Sequence, residues 1–238
     1  MNIAVIFAGG TGQRMNTKSK PKQFLEMHGK PVLIYTMENF QNHPQIDAIV
    51  LVCLESWIDY AEKLLKKFGI TKVKAVVPGG KTGQESIFHG IKKVHELFGD
   101  ENIVLIHDGV RPLINEDVIT RCIESVKSHG NAITVAPAIE TIFVKKDNKV
   151  GKIFKRSKCL MGKAPQCFYE KDIYNAHLQA NKEHLGDFID SADLMQHYGF
   201  ELYPVEGPAE NIKITTPSDF YTFRAIMDAR ESYQILGL

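Results

Sequence analysis

The chain has 238 residues, 29 Lys and Arg against 28 Asp and Glu, a formal charge of +1, and 44% hydrophobic residues. A balance this close to neutral argues against a nucleic-acid protein that works through a broad basic face, a disordered acidic tail, or a polybasic membrane anchor. The length is enough to bury a core without staples. The four cysteines, Cys53, Cys122, Cys159 and Cys167, form no CxxC pair and no zinc-ligand spacing, so a reduced, cytoplasmic setting is expected. No apolar run approaches the about 18 to 20 residues of a membrane helix. The opening segment Met1 to Phe7 lacks the basic region and long apolar stretch of a signal peptide. Neither a nucleic acid nor a membrane is therefore expected as a partner.

Taken in chain order, short Val- and Ile-rich runs alternate with longer amphipathic segments, which predicts an α/β fold. Strands are expected at Ile3 to Phe7, Ala48 to Cys53, Val73 to Val77, Asn102 to His107 and Ala132 to Ala136. Their nearly continuous apolar character suits a parallel sheet covered on both faces. Helices are expected at Pro31 to Gln41, Trp57 to Phe68, Thr82 to Phe98 and Glu116 to Ser128. Thr82 with Glu85 fits a capping box, and Gly130 can close the helix from Glu116. From about 138 to 163 the pattern breaks into β-like pieces around Asp147-Asn148, which predicts a hairpin or arm projecting from the sheet. Helices at Glu170 to about Ala180 and near Ser191 to Tyr198, a strand near Glu201 to Val205, and a helix from Pro217 to about Arg230 follow, the last begun by Thr216-Pro217. With no repeat or linker, one domain over 1–238 with an embedded arm is the simplest organisation.

Three segments carry chemistry. Phe7-Ala8-Gly9-Gly10-Thr11-Gly12-Gln13-Arg14-Met15 directly follows the first strand, where glycines let backbone amides approach an anion. It is not a dinucleotide fingerprint, because its third glycine position is Met15. Gly80-Lys81-Thr82 is not a Walker A motif either, since Ala75 stands where its first glycine belongs. Arg14, with Lys22 in Lys20-Pro21-Lys22-Gln23-Phe24, places two cations at the carboxyl edge of the first strand and suits a polyphosphate. In His107-Asp108-Gly109-Val110-Arg111-Pro112, Asp108 can offer an oxygen to Mg²⁺ and Arg111 a planar fork to a second phosphate, while His107 reads as a packed or orienting residue. Lys213, between Ile212 and Ile214, reads as a lysine reaching from a buried strand into the site, which requires an anionic partner. By composition alone Arg156, in the arm, reads as solvated.

The glycine loop, the Arg-Met and the Pro-Lys-Gln resemble the nucleotidyltransferase signature. With the later segments in order, essentially the whole chain resembles the family of cytidylyltransferases that activate polyol phosphates. That resemblance implies a Rossmann-like, mostly parallel sheet covered by helices, with a protruding β-arm used for dimerisation, and a homodimer whose arms exchange into the partner's site. It implies that CTP is surrounded by Phe7, Ala8, Gly9, Gly10, Gly109 and the segment Gly80, Lys81, Thr82, Gly83, Gln84, Glu85 and Ser86. Arg14 and Lys22 would stabilise transition-state charge, Asp108 would meet Mg²⁺, and Arg111, Thr141, Arg156 and Lys213 would hold the second substrate, with Arg156 and Lys213 also counted as catalytic. Ala8-Gly9-Gly10, Glu55-Ser56-Trp57, Asp108 to Pro112 and Glu140-Thr141-Ile142 look like the family's ribitol-phosphate branch, whereas Asp190-Ser191-Ala192-Asp193 is similar to its methylerythritol-phosphate branch. Two positions depart from both: Lys81 to Glu85 lacks the usual Asp and Arg, and Ala164 replaces a threonine. The expected reaction is CTP with D-ribitol 5-phosphate giving CDP-ribitol and pyrophosphate. The alternatives are a methylerythritol-phosphate or other polyol-phosphate cytidylyltransferase, or a catalytically silent nucleotide-binding protein.

Overall fold

The computed structural model describes residues 1–10 and 20–236. In chain order, β1 (Asn2–Ala8) leads to a short hairpin of β2 (Glu26–Met27) and β3 (Lys30–Pro31), then α1 (Val32–Asn42) and β4 (Ala48–Cys53). Helix α2 (Ile58–Lys67), β5 (Val73–Pro78), α3 (Gly83–Phe98), β6 (Ile103–Asp108), α4 (Glu116–His129) and β7 (Asn131–Pro137) continue the alternation. A hairpin of β8 (Ile142–Lys146) and β9 (Lys149–Phe154) follows, and β10 (Leu160–Tyr169) returns the chain to the sheet. The rest is α5 (Glu170–Lys182), α6 (Ser191–His197), β11 (Pro204–Glu206) and α7 (Pro217–Leu236).

Seven strands form one sheet in the order β11-β7-β10-β6-β1-β4-β5, and all but β10 run parallel to one another. Strand side chains alternate between two cores. Ala4, Ile6, Ile49 and Leu51 pack against α1, α2 and α4, while Ile3, Val5, Val50 and Val52 pack against α3, α5 and α6. Coverage on both faces explains why β4 is apolar at every position. Of the expected capping box the N-cap half forms, Thr82 Oγ1 accepting from Glu85 N at 3.1 Å, while the Glu85 carboxylate accepts from Lys81 N instead of Thr82 N; Gly130, at φ 90°, closes α4. At α7, Asp219 Oδ2 accepts from Thr215 N and Thr216 N at 2.8 and 2.7 Å.

Three expectations need correction. The arm ends before 163, because Leu160 to Gly162 already pair with Val135 to Pro137 in the sheet. β10 went unread because Pro165, which has no N–H to donate, interrupts it; the register shifts between Gly162 and Gln166 and absorbs the proline. The strand near Glu201 to Val205 is a shorter one at Pro204–Glu206. Lys213 is not on a strand but on a segment without regular secondary structure, tied down where Ile214 N donates to Val110 O at 2.9 Å.

The registers bring Ala8, Cys53, Pro78 and Asp108 to the same edge of the sheet. Antiparallel β10 passes that edge with its first half, since Gln166 lies opposite Ile106. Gly9 and Gly10 after β1, the turns after β5 and β6, and the start of β10 therefore converge.

Candidate active site

Two glycine turns form one wall of the site. A Cβ on Gly9 would lie 3.2 Å from Ser86 Oγ and one on Gly79 3.1 Å from the same oxygen, both tighter than an ordinary contact, so glycine at these positions lets the two turns close on Ser86. Ser86, buried at the start of α3, fixes the second turn: its hydroxyl donates to Thr82 O at 2.9 Å and accepts from Gly80 N at 3.0 Å. Lys81 N donates to Glu85 Oε2 at 2.6 Å, and both side chains are exposed. The first loop is gripped from below, where buried Gln23 donates through Nε2 to Ala8 O at 2.7 Å. Phe24 anchors the same segment by stacking on Trp57 at 5.0 Å. Between these anchors and the loop stands Lys22, its Cε 4.0 Å from where a Gly10 Cβ would be. Arg14 lies outside the described residues.

The centre of the site is Asp108, at the end of β6. Its Oδ2 accepts from Arg111 Nε at 2.8 Å, and its Oδ1 lies 2.5 Å from Lys213 Nζ. Burial pushes the carboxyl upward, but the charges of Lys213 and Arg111 outweigh it and hold the pKa at about 2. Asp108 is therefore ionised at neutral pH and serves as the shared counter-ion of two cations. Arg111 is further fixed where Nη1 donates to Asn211 O at 2.9 Å. The lysine expected to need an anion has one. His107 is fully buried, with Nε2 3.1 Å from Arg111 O and its ring against Phe40; burial lowers its pKa to about 4, so it is neutral and packs the turn.

Asp108, Arg111 and Lys213 line a cavity of about 330 Å³ together with Phe7, Thr82, Gly83 and Gln84. Ala8, Gly9, Gly10, Gly80 and Ser86 build the adjoining glycine wall. Gly109 is packed behind it, where its N–H donates to Phe7 O at 2.9 Å and a Cβ would meet Ala8 and Leu33 at 3.0 Å. Thr141 and Arg156 are exposed on the arm and are not among the lining residues; Arg156 Nη1 donates to Ile139 O at 3.0 Å. For a divalent cation, among the described residues no three His, Cys, Asp or Glu side chains converge. The donor set fits only an ion that brings most of its oxygens as water and phosphate, with Asp108 as the one protein carboxylate on hand.

The opposite wall is legible in the sequence only in part, through the Ala164 departure and the Asp190-Ser191 motif. It consists of Lys163, Ala164 and Gln166 on β10 and of Phe188, Asp190 and Ser191 before and at the start of α6. Gln166 Nε2 donates to Asp190 Oδ2 at 2.8 Å, while its Oε1 accepts from Ala192 N at 2.9 Å. Asp190 also caps α6 by accepting from Asp193 N at 2.9 Å. Lys163 carries a signal of its own, since like Lys213 it is a lysine in an otherwise uncharged run.

Known proteins match this architecture throughout. Residues 2–229 match the family described as IspD, 2-C-methyl-D-erythritol 4-phosphate cytidylyltransferase. The chain is 54% identical over 238 residues to a ribitol-5-phosphate cytidylyltransferase of Vibrio parahaemolyticus, covering 100% of both chains. It is 37% identical to a 2-C-methyl-D-erythritol 4-phosphate cytidylyltransferase of Clostridium acetobutylicum, covering 95% of this chain and 97% of the other. A solved structure of 4-diphosphocytidyl-2C-methyl-D-erythritol synthase from Anaerococcus prevotii superposes with a TM-score of 0.82 at 27% identity, covering 95% and 96% of the two chains.

Proposed function

Because the chain belongs to the 2-C-methyl-D-erythritol 4-phosphate cytidylyltransferase family, and so is a CTP-dependent nucleotidyltransferase, we propose that it converts CTP and D-ribitol 5-phosphate to CDP-ribitol and pyrophosphate. The observation that carries the choice of polyol is the identity of 54% over the full chain to a relative named for ribitol 5-phosphate, against 37% to one named for methylerythritol phosphate.

The geometry suits that chemistry. A phosphate oxygen of the polyol ester attacks the α-phosphorus of CTP, a new P–O bond forms, and the bond to the bridging oxygen breaks to release pyrophosphate. Two polyanions must be brought together in line, so the protein's tasks are charge neutralisation and alignment, and no covalent nucleophile is needed. The glycine wall of Gly9, Gly10 and Gly80 receives the nucleotide. Lys22, beside that wall, and Arg14 meet its phosphates. Arg111 and Lys213, oriented by Asp108, face the incoming phosphate ester. Asp108 is the carboxylate that would hold a Mg²⁺ ion bound mostly by water and phosphate, and such an ion would supply further charge neutralisation. The protein acts as a homodimer in which Arg156 and Thr141 of each arm serve the partner's site, and it works in the cytoplasm. Among the described residues, no helix is long and apolar enough to cross a membrane.

The test is pyrophosphate release from CTP with a panel of polyol phosphates. Ribitol 5-phosphate is expected to turn over fastest. Faster turnover of methylerythritol phosphate overturns the choice of polyol, while tight CTP binding by calorimetry with no pyrophosphate from any polyol identifies a silent binding protein.

A further inference from the structure

We propose that Lys163 is an anchor for the phosphate of the second substrate, and with it a determinant of which phosphate esters are accepted; the proposal rests on the cytidylyltransferase reading above. Three observations point to it.

The first is position. Gln166 lies opposite Ile106 in the antiparallel pair of β10 and β6, which puts Lys163 and Ala164 level with Asp108 at the ligand edge of the sheet. Lys163 lines the cavity together with Asp108, Arg111 and Lys213.

The second is charge. Arg111 and Lys213 both pair with Asp108, whereas Lys163 donates to the neutral carbonyl of Ala209 at 3.1 Å and makes no ion pair among the described residues. Burial, reinforced by the nearby positive charge of Arg111, lowers its pKa. An anion entering between Lys163 and Arg111 relieves both effects. It also replaces a bond to a neutral carbonyl by a stronger, charge-assisted one.

The third is the division of the sheet. The glycine wall follows β1 and β5, on the β1-β4-β5 side, whereas Lys163 lies on β10, across β6 from it. A cation there faces the second substrate rather than the nucleotide. The same wall carries the Asp190 carboxylate, whose Oδ2 would be 4.0 Å from a Cβ on Gly162. A cation and a carboxylate lining one cavity suit a phosphate ester whose remaining carbons bear hydroxyls, with the carboxylate accepting from a hydroxyl.

Lys163→Met keeps the alkyl stem and removes the charge. Its KM for ribitol 5-phosphate should rise roughly 10- to 100-fold, the range for losing a hydrogen bond to a charged group. Its KM for CTP, and its CTP affinity by calorimetry, should stay within about twofold. Lys163→Arg, which restores the charge, should recover most of the loss. An unchanged KM for ribitol 5-phosphate, or an equal rise for CTP, overturns the proposal. Should Lys163→Met fail to fold by circular dichroism, Lys163→Gln decides by the same two constants. Calorimetry of ribitol 5-phosphate with the unaltered protein separates the two readings. Binding that Lys163→Met weakens supports the anchor even where no pyrophosphate forms and the activity reading fails; binding equal in both proteins, or absent from both, overturns it.

Discussion

The half of the site carried by the sheet and the half assigned to the arm are built in contrasting ways. Asp108, Arg111 and Lys213 come from a turn and a segment pinned to the core, and every charge there has a counter-ion or a backbone partner within one chain. The hairpin of β8 and β9 pairs only with itself among the described residues, and Phe143, Val150 and Ile153 are 53%, 65% and 59% exposed. A lone two-stranded hairpin is marginal in water, and exposed apolar side chains on it ask for a covering surface. The difference teaches that Asp108, Arg111 and Lys213 are held in place by contacts within one chain, whereas among the described residues Arg156 and Thr141 sit exposed on an arm that the sheet does not brace.

Removing a cation from the preorganised half should have the largest effect. Lys22→Ala should depress kcat/KM by on the order of 10² to 10³, the scale for losing one electrostatic donor at a transition state. Steady-state kinetics with both substrates checks this, and a loss below about threefold would reduce Lys22 to a surface lysine. The structure gives the physical reason for its position, because Gln23 and Phe24 on its C-terminal side fasten the segment under the glycine loop.

Next comes the counter-ion. Asp108→Asn leaves Arg111 and Lys213 facing each other without their carboxylate, which should cost about 3 kcal/mol of stability, the low end for a broken buried pair because Lys213 is 40% exposed. Denaturant unfolding measures the loss. The same pair sets a pH dependence. The folded Asp108 pKa, about 2, lies below the ordinary 3.8. Its contribution is therefore full above about pH 4 and fades as pH falls toward 2. Asp108→Asn should remove that part of the acid slope. An unchanged slope would mean the pair adds nothing to stability.

The contrast also explains what the sequence made legible. Parallel strands buried on both faces announce themselves as unbroken apolar runs, and Thr82, Gly130 and Thr216 mark helix ends through local hydrogen bonds, so most of the sheet and its edge were readable. β10 was not, because Pro165 breaks its run and its pairing with β6 and β7 is non-local. The hidden strand kept Lys163 and Gln166 from being joined to Asp190 as one wall, although Ala164 and Asp190-Ser191 were each visible as motif positions. Asp108 was legible as an acid at a strand end, but its role as counter-ion to Lys213 depends on a contact between positions 105 residues apart, which no spacing rule reveals.

The smallest effect discriminates most sharply between the two halves. Arg156→Ala should raise KM for the polyol phosphate about tenfold, within the range for a lost charged hydrogen bond, and spare CTP. That loss alone does not say which chain's site Arg156 serves. Mixing it with Lys213→Ala does. If arms exchange, a heterodimer combines the intact arm of one chain with the intact body of the other at one of its two sites. Random assortment makes about half the dimers mixed, so about one quarter of all sites should be complete, and activity should rise toward that fraction after subunit exchange. If each arm serves its own chain, every site in every dimer retains one lesion and mixing restores nothing.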